Sequence, residues 1–166
     1  MQKPNINNFD TFILDLDSTV WFGIEPTFWA KKLQFPIARK GKRIYDSNKN
    51  YIQLADGIKE FLTYLRNKNK RISFLTRGAL LNVAYDQQPS VICLKEFGIY
   101  SFFNHKNHAI YKTQLKSDFL KTYKKTIFID DNSIDIKDIG EKYPEVTTLN
   151  KNSFGDWREL IWNTKI

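Results

Sequence analysis

The chain of 166 residues is long enough for one domain with a substantial core. Hydrophobic residues make up 42% of it, yet no apolar run approaches the ~18 residues of a membrane span, and residues 1–10 lack the apolar centre of a secretory signal. The formal charge of +8 favours anionic partners without choosing among phosphometabolites, phosphoproteins and nucleic acids. Cys93 is the only cysteine, which excludes an internal disulfide and suits a reducing cytoplasm.

The elements follow in chain order. Thr11 to Leu14 is a short apolar run of the kind that forms a buried strand. Residues 21–53 form an irregular aromatic and basic insert, whose densest cationic stretch is Arg39-Lys40-Gly41-Lys42-Arg43. That stretch could meet phosphates or form a solvated hairpin tip. Asp56 is placed to cap a helix burying Ile58, Phe61, Leu62 and Leu65. A strand over 71–75 runs into Thr76-Arg77-Gly78.

A short helix is expected over 80–85, with Pro89 as its stop or as the start of the next turn. Ser90 would cap a second helix that ends near Gly98. A short strand is expected over 109–111, then a helix over 113–123 burying Leu115, Phe119 and Leu120. Next come a strand ending at Asp130 and a weak strand over 146–149. The final helix is capped by Asp156, with Trp157, Leu160 and Ile161 on one face. This alternation predicts an α/β domain with a mainly parallel sheet over 1–166, the insert lying within it. Cys93, between Ile92 and Leu94, reads as a packing residue.

Two acidic pairs carry the chemistry. Asp15 and Asp17 flank Leu16 at the end of the first strand, and Asp130-Asp131 end a later apolar run. In an open parallel sheet, ligands bind outside the carboxyl ends of the strands. Carboxylates gathered there repel unless a cation joins them, and an all-oxygen cage suits magnesium. A calcium loop of the EF-hand kind does not fit: its sixth position, a glycine, is Val20 here, and its twelfth, a bidentate glutamate, is Pro26.

In Ile-Leu-Asp-Leu-Asp-Ser-Thr-Val-Trp and Phe-Ile-Asp-Asp-Asn, with Thr76 ending a strand between them, the chain resembles the haloacid dehalogenase superfamily. It is most similar to the small magnesium-dependent phosphatases with a minimal cap, the branch with short inserts and a Trp just after the first motif. The resemblance implies a three-layer α/β/α, Rossmann-like domain with a small insert after the first strand. It also implies hydrolysis of phosphomonoesters through an aspartyl-phosphate.

By that resemblance, Asp15 is the nucleophile and Asp17 the general acid and base. Mg2+ is held by Asp15, Asp130, Asp131 and the backbone carbonyl of Asp17. Within the acidic pair, Asp131 is expected to touch the metal and Asp130 to act through its neighbours. Thr76 and a lysine bind the substrate phosphate. Lys112, just ahead of the expected helix, is preferred for that lysine over Lys116, one turn inside it. Asp135 could assist or cap the following helix.

Other residues suggest weaker roles. His105 and His108 have a metal-like spacing but no companion ligand for a four-coordinate zinc site. Trp21, Phe22, Phe28 and Trp29 could wall a pocket or pack the insert. Arg77 could contact substrate phosphate or form an outward salt bridge. Besides a small-molecule phosphatase, the alternatives are a nucleic-acid end phosphatase, suggested by the basic aromatic insert, and a phosphoprotein phosphatase. From another class comes a non-catalytic domain that binds a phosphorylated ligand.

Overall fold

The computed structural model describes residues 3–24, 34–120 and 124–162. Five parallel strands form the central sheet: β1 (Thr11–Leu14), β6 (Arg71–Arg77), β7 (His108–Ile110), β8 (Thr126–Asp130) and β9 (Thr147–Asn150). Their order is β7-β6-β1-β8-β9, so the most apolar strand lies in the middle, paired with β6 and β8. From β1 the chain builds outward through β6 and β7, then returns to build β8 and β9 on the other side. The reversal beside β1 is a topological switch point, where an open α/β sheet leaves a crevice at its carboxyl edge.

Alternation along the strands divides the core into two layers. Phe12, Leu14, Ile72, Phe74, Ile127 and Ile129 face α1 (Ile58–Asn67), α2 (Pro89–Glu96) and α4 (Arg158–Trp162). Ile13, Leu75 and Phe128 point the other way, where Ile139 of α3 (Ser133–Lys142) covers them. The result is a three-layer α/β/α fold. Among the described residues no helix is long and apolar enough to cross a membrane.

The described part of the insert is not irregular. It builds a four-stranded antiparallel sheet of order β2-β5-β4-β3, from β2 (Trp21–Gly23), β3 (Ala38–Lys40), β4 (Arg43–Tyr45) and β5 (Tyr51–Leu54). Lys40 pairs with Arg43 across the turn residues Gly41 and Lys42, and Gly41 supplies the positive φ, 62°, that a tight hairpin needs. The basic stretch is thus a hairpin tip. Phe28 and Trp29 lie outside the described residues.

Several local expectations are corrected. Asp56 does not cap α1, because Gly57 takes the N-cap position at φ 75° and the Asp56 carboxylate pairs with Lys42. A side chain at Gly57 would run into the Asp156 carboxylate. Residues 80–84 are not helical, and Tyr85 only opens a 3-10 turn, Tyr85–Gln87. The Gln88 side chain accepts from the Leu80 N–H at 2.8 Å and donates to the carbonyls of Leu80 and Val83, satisfying backbone groups a helix would have paired. Pro89 opens α2 at its first turn, with Gln88 rather than Ser90 at the N-cap.

The expected helix over 113–123 departs furthest from the structure. Only a single 3-10 turn, Lys116–Asp118, forms there, and residues 121–123 lie outside the described set. Leu115, Phe119 and Leu120 suggest a helical period, yet Leu115 is exposed while Lys116 and Ser117 are buried. The buried positions face the sheet edge, not a helix stripe. The strands at β7, β8 and β9 agree with expectation to within a residue or two, and Asp156 does accept from the Arg158 N–H at the start of α4.

Candidate active site

The end of β1 sets the first carboxylate. The Asp15 N–H donates to the carbonyl of Ile129 at 2.9 Å, extending the β1–β8 ladder by one bond and placing Asp15 beside the end of β8. Beyond it the chain turns sharply. Ser18 adopts φ 55°, and the N–H groups of Val20 and Trp21 both donate to the Leu16 carbonyl. That turn folds Trp21 back, so its indole N–H donates to the buried Asp17 carboxylate at 2.8 Å. Trp21 is itself buried and stacks on Phe97, which fixes the donor.

Asp130 closes β8 and is fully buried. One of its oxygens accepts the Asn132 N–H at 2.8 Å, and the other accepts Lys116 Nζ at 2.7 Å. Lys116 Nζ also donates to Asp15 at 2.5 Å, so a single buried ammonium bridges the two strand ends. Asp131, half-buried, completes the group: carboxylate oxygens of Asp15, Asp130 and Asp131 all lie within 4.8 Å of one another. Thr76, buried near the end of β6, donates its hydroxyl to the Arg77 carbonyl at 3.3 Å.

The electrostatics follow from burial and charge count. Burial pushes the Asp15 carboxyl well above the usual range; Lys116 opposes this, while Asp130 and Asp17 add to it. Asp131 is raised for the same reasons, by burial and then by Asp130. Burial alone would lower the Lys116 ammonium, but Asp15 and Asp130 outweigh it and raise its pKa. Three carboxylates against one ammonium leave a local excess of negative charge. Oxygen donors only, converging with excess negative charge and with Asp131 open on one side, fit a small hard divalent cation.

The structure gathers Asp15, Asp17, Asp130 and Asp131 at one edge of the sheet, with Thr76 at the end of the neighbouring strand. The Asp17 carboxylate is not in the metal-ready group; it faces Trp21. The structure places the two candidate lysines differently. Lys112 is exposed, and it is Lys116 that reaches the carboxylates. The preference for Lys112 rests on a helix opened by Thr113, with a loop lysine just ahead of it reaching the sheet edge. Because that helix does not form, the chain dips inward at Lys116 and Ser117 instead. Asn132, not Asp135, caps α3, its side chain accepting the Ile134 N–H.

Sequence reasoning missed two interactions. Trp21 holds Asp17, for which the signal was an indole four residues after an aspartate across a tight turn. Arg77 and Asp135 form a forked ion pair, at 2.6 and 2.5 Å, directed inward and not outward. His105 and His108 join no metal-ready group among the described residues, and Cys93 is buried with its thiol pKa pushed up by burial.

No protein-family model matches the chain, and no curated protein matches it. Its fold is similar to a solved structure, the N-terminal part of the protein BF1531 from Bacteroides fragilis, described as containing a phosphatase domain complexed with Mg. The TM-score is 0.56 at 16% identity, over 95% of this chain and 40% of that one. The chain therefore spans less than half the length of that structure. At this identity the shared property is the fold.

Proposed function

We propose that this chain is a magnesium-dependent phosphatase that hydrolyses phosphomonoesters through an aspartyl-phosphate on Asp15. The observation that carries the reading is the convergence of Asp15, Asp130 and Asp131 around Lys116, with Asp17 on the adjoining turn. The Mg-bound phosphatase domain of similar fold supports it, as does the resemblance of the motifs to the haloacid dehalogenase superfamily.

In this reading an oxygen of Asp15 attacks phosphorus as the ester P–O bond breaks, and Asp17 gives its proton to the departing oxygen. Asp17 then takes a proton from water, whose oxygen attacks the phosphorus and releases Asp15. The Trp21 indole holds the Asp17 carboxylate in one orientation for both transfers. The Thr76 hydroxyl binds a phosphoryl oxygen. Lys116 supplies positive charge where negative charge gathers in the transition state. Asp15 and Asp131 would hold the metal directly, with the Asp17 backbone carbonyl, while Asp130 orients Lys116 and the Asn132 N–H. Bound there, Mg2+ would screen the repulsion between carboxylate and phosphate and neutralise transition-state charge.

The test is hydrolysis of an aryl phosphate with added Mg2+. Turnover should require the metal, stop with EDTA and be poorly supported by Ca2+, whose larger, looser shell misplaces the nucleophile. Undiminished turnover without metal would overturn the magnesium assignment. The insert, about 21–53, is where substrate selectivity would reside. Nucleic-acid ends and phosphoproteins stand as alternative substrates, to be compared in the same assay using phosphorylated oligonucleotides and phosphopeptides. A domain that only binds a phosphorylated ligand would show binding without turnover in any of these.

A further inference from the structure

We propose that Arg77 is the positioning residue of Lys116, through Asp135 and the loop that carries the lysine; this rests on the reading of Lys116 as the phosphate-facing cation. A lysine has a long flexible stem and is expensive to order. Here it sits on one 3-10 turn, not on a helix or strand, so something outside the turn must hold it. Arg77 lies at the last position of β6, next to Thr76. Its Nη1 and Nη2 fork onto the two Asp135 oxygens, and its Nε donates to the Gln114 carbonyl at 3.2 Å, two residues before Lys116. One guanidinium thus ties together the end of β6, the lysine loop and the first turn of α3. From the other side Tyr143 Oη donates to the Ser117 carbonyl at 2.9 Å, closing the loop against the end of α3.

Charge makes the same argument. Asp135 is buried, and its Oδ2 lies 3.7 Å from Lys116 Nζ. Without Arg77 it would be a third buried carboxylate, competing with Asp15 and Asp130 for one ammonium. By neutralising Asp135, Arg77 leaves Lys116 committed to the reacting end of the site. A planar fork suits this task better than a point charge. The three engaged nitrogens also argue against Arg77 as a direct substrate contact.

Two readouts test it. The first needs no turnover: metal-free protein is treated with an amine-reactive reagent and Lys116 modification is followed by mass spectrometry. Lys116 should be protected in the wild type and label several-fold faster in Arg77→Ala. The second is kinetic. Arg77→Ala should lower kcat by about 10–100-fold, the usual cost of removing a supporting partner, with KM within about twofold. In the Lys116→Ala background the same change should add almost nothing, because residues acting as one unit are not additive. Added guanidinium ion should restore part of the Arg77→Ala loss.

Unchanged labelling in a folded Arg77→Ala protein overturns the proposal. So do additive losses in the double variant, or a raised KM at normal kcat, which would mark a substrate contact. Should Arg77→Ala fail to fold, Arg77→Lys and Arg77→Gln take the same two readouts, and a labelling rate as low as wild type in both overturns it equally. If the wild type shows no Mg2+-dependent turnover at all, the phosphatase reading fails while the labelling result still decides the role of Arg77.

Discussion

The two sheets use charge in opposite ways. At the carboxyl edge of the parallel sheet, Lys116 and Asp15 pair with side chains 4% and 6% exposed. At the hairpin tip of the insert, Lys42 pairs at 3.0 Å with Asp56, just beyond the insert, with side chains 69% and 62% exposed. Water and salt screen the second pair, which is worth little, whereas removing one partner of the first leaves an uncompensated buried charge. Two further cations of the insert also spend donors on partners within the protein. Arg39 donates to the carbonyls of Glu96 and Phe97, and Arg43 donates to Gln53 and lies over the Tyr51 ring. Converging buried charge marks the region built for chemistry; dispersed, paired charge marks a region built for packing and solubility. Mutational losses should divide along that line.

The largest effects belong to the aspartates of the first motif. Asp15→Asn should abolish phosphoenzyme formation, since an amide is a far poorer nucleophile, and normal turnover in that variant would refute the covalent route. Asp17→Asn should bind Mg2+ nearly as well as wild type, because its carboxylate lies outside the metal-ready group. Its turnover should drop by roughly 10²–10⁴-fold, the range for losing a general acid–base group. Metal titration by calorimetry beside steady-state kinetics separates the two variants.

The lysines come next. Lys116→Ala should both slow turnover and destabilise the protein by about 3–5 kcal/mol without metal, the usual cost of breaking a buried pair. Mg2+ should recover part of that stability by taking over the charge between Asp15 and Asp131. Lys112→Ala, at an exposed position, should leave both quantities near wild type. Thermal unfolding with and without Mg2+, alongside kcat, gives the comparison. A larger loss for Lys112 would return the phosphate-binding role to it.

The two central strands with acidic ends were legible because apolar runs such as Thr126-Ile127-Phe128-Ile129 announce burial on both faces, and the runs of β1 and β8 lead into Asp15 and Asp130. The insert sheet was not. Its strands are three or four residues long and Ala38–Lys40 is exposed throughout, so the alternation present in Arg43–Tyr45 and Tyr51–Leu54 is too short to announce a sheet. The lysine loop misled for a different reason. Lys116 and Ser117 are buried by tertiary interactions with Asp15, Asp130 and Tyr143, and a hydropathy pattern counts both residues as solvent-facing. The Arg77–Asp135 fork spans 58 positions, beyond the reach of any local rule.

The smallest effect should come from the hairpin tip. Changing Arg39, Lys40, Lys42 and Arg43 together to alanine should leave aryl phosphatase activity within about twofold, because none of the four touches the carboxylate group and uniform transition-state binding is unaltered. A modest drop in Tm is expected once the Glu96 and Phe97 carbonyls at the end of α2 no longer have the Arg39 guanidinium as donor. Binding of a single-stranded oligonucleotide, measured across salt concentrations, gives the sharper outcome. Each phosphate left without its cation should take roughly 0.7 off the log–log slope for a single strand. Since Arg39, Lys42 and Arg43 already serve partners within the protein, the slope should change by less than the share of one phosphate. A fall equivalent to three or four phosphates would mean that these side chains exchange their internal partners for the nucleic-acid backbone, and would make the insert a nucleic-acid-binding face of the protein.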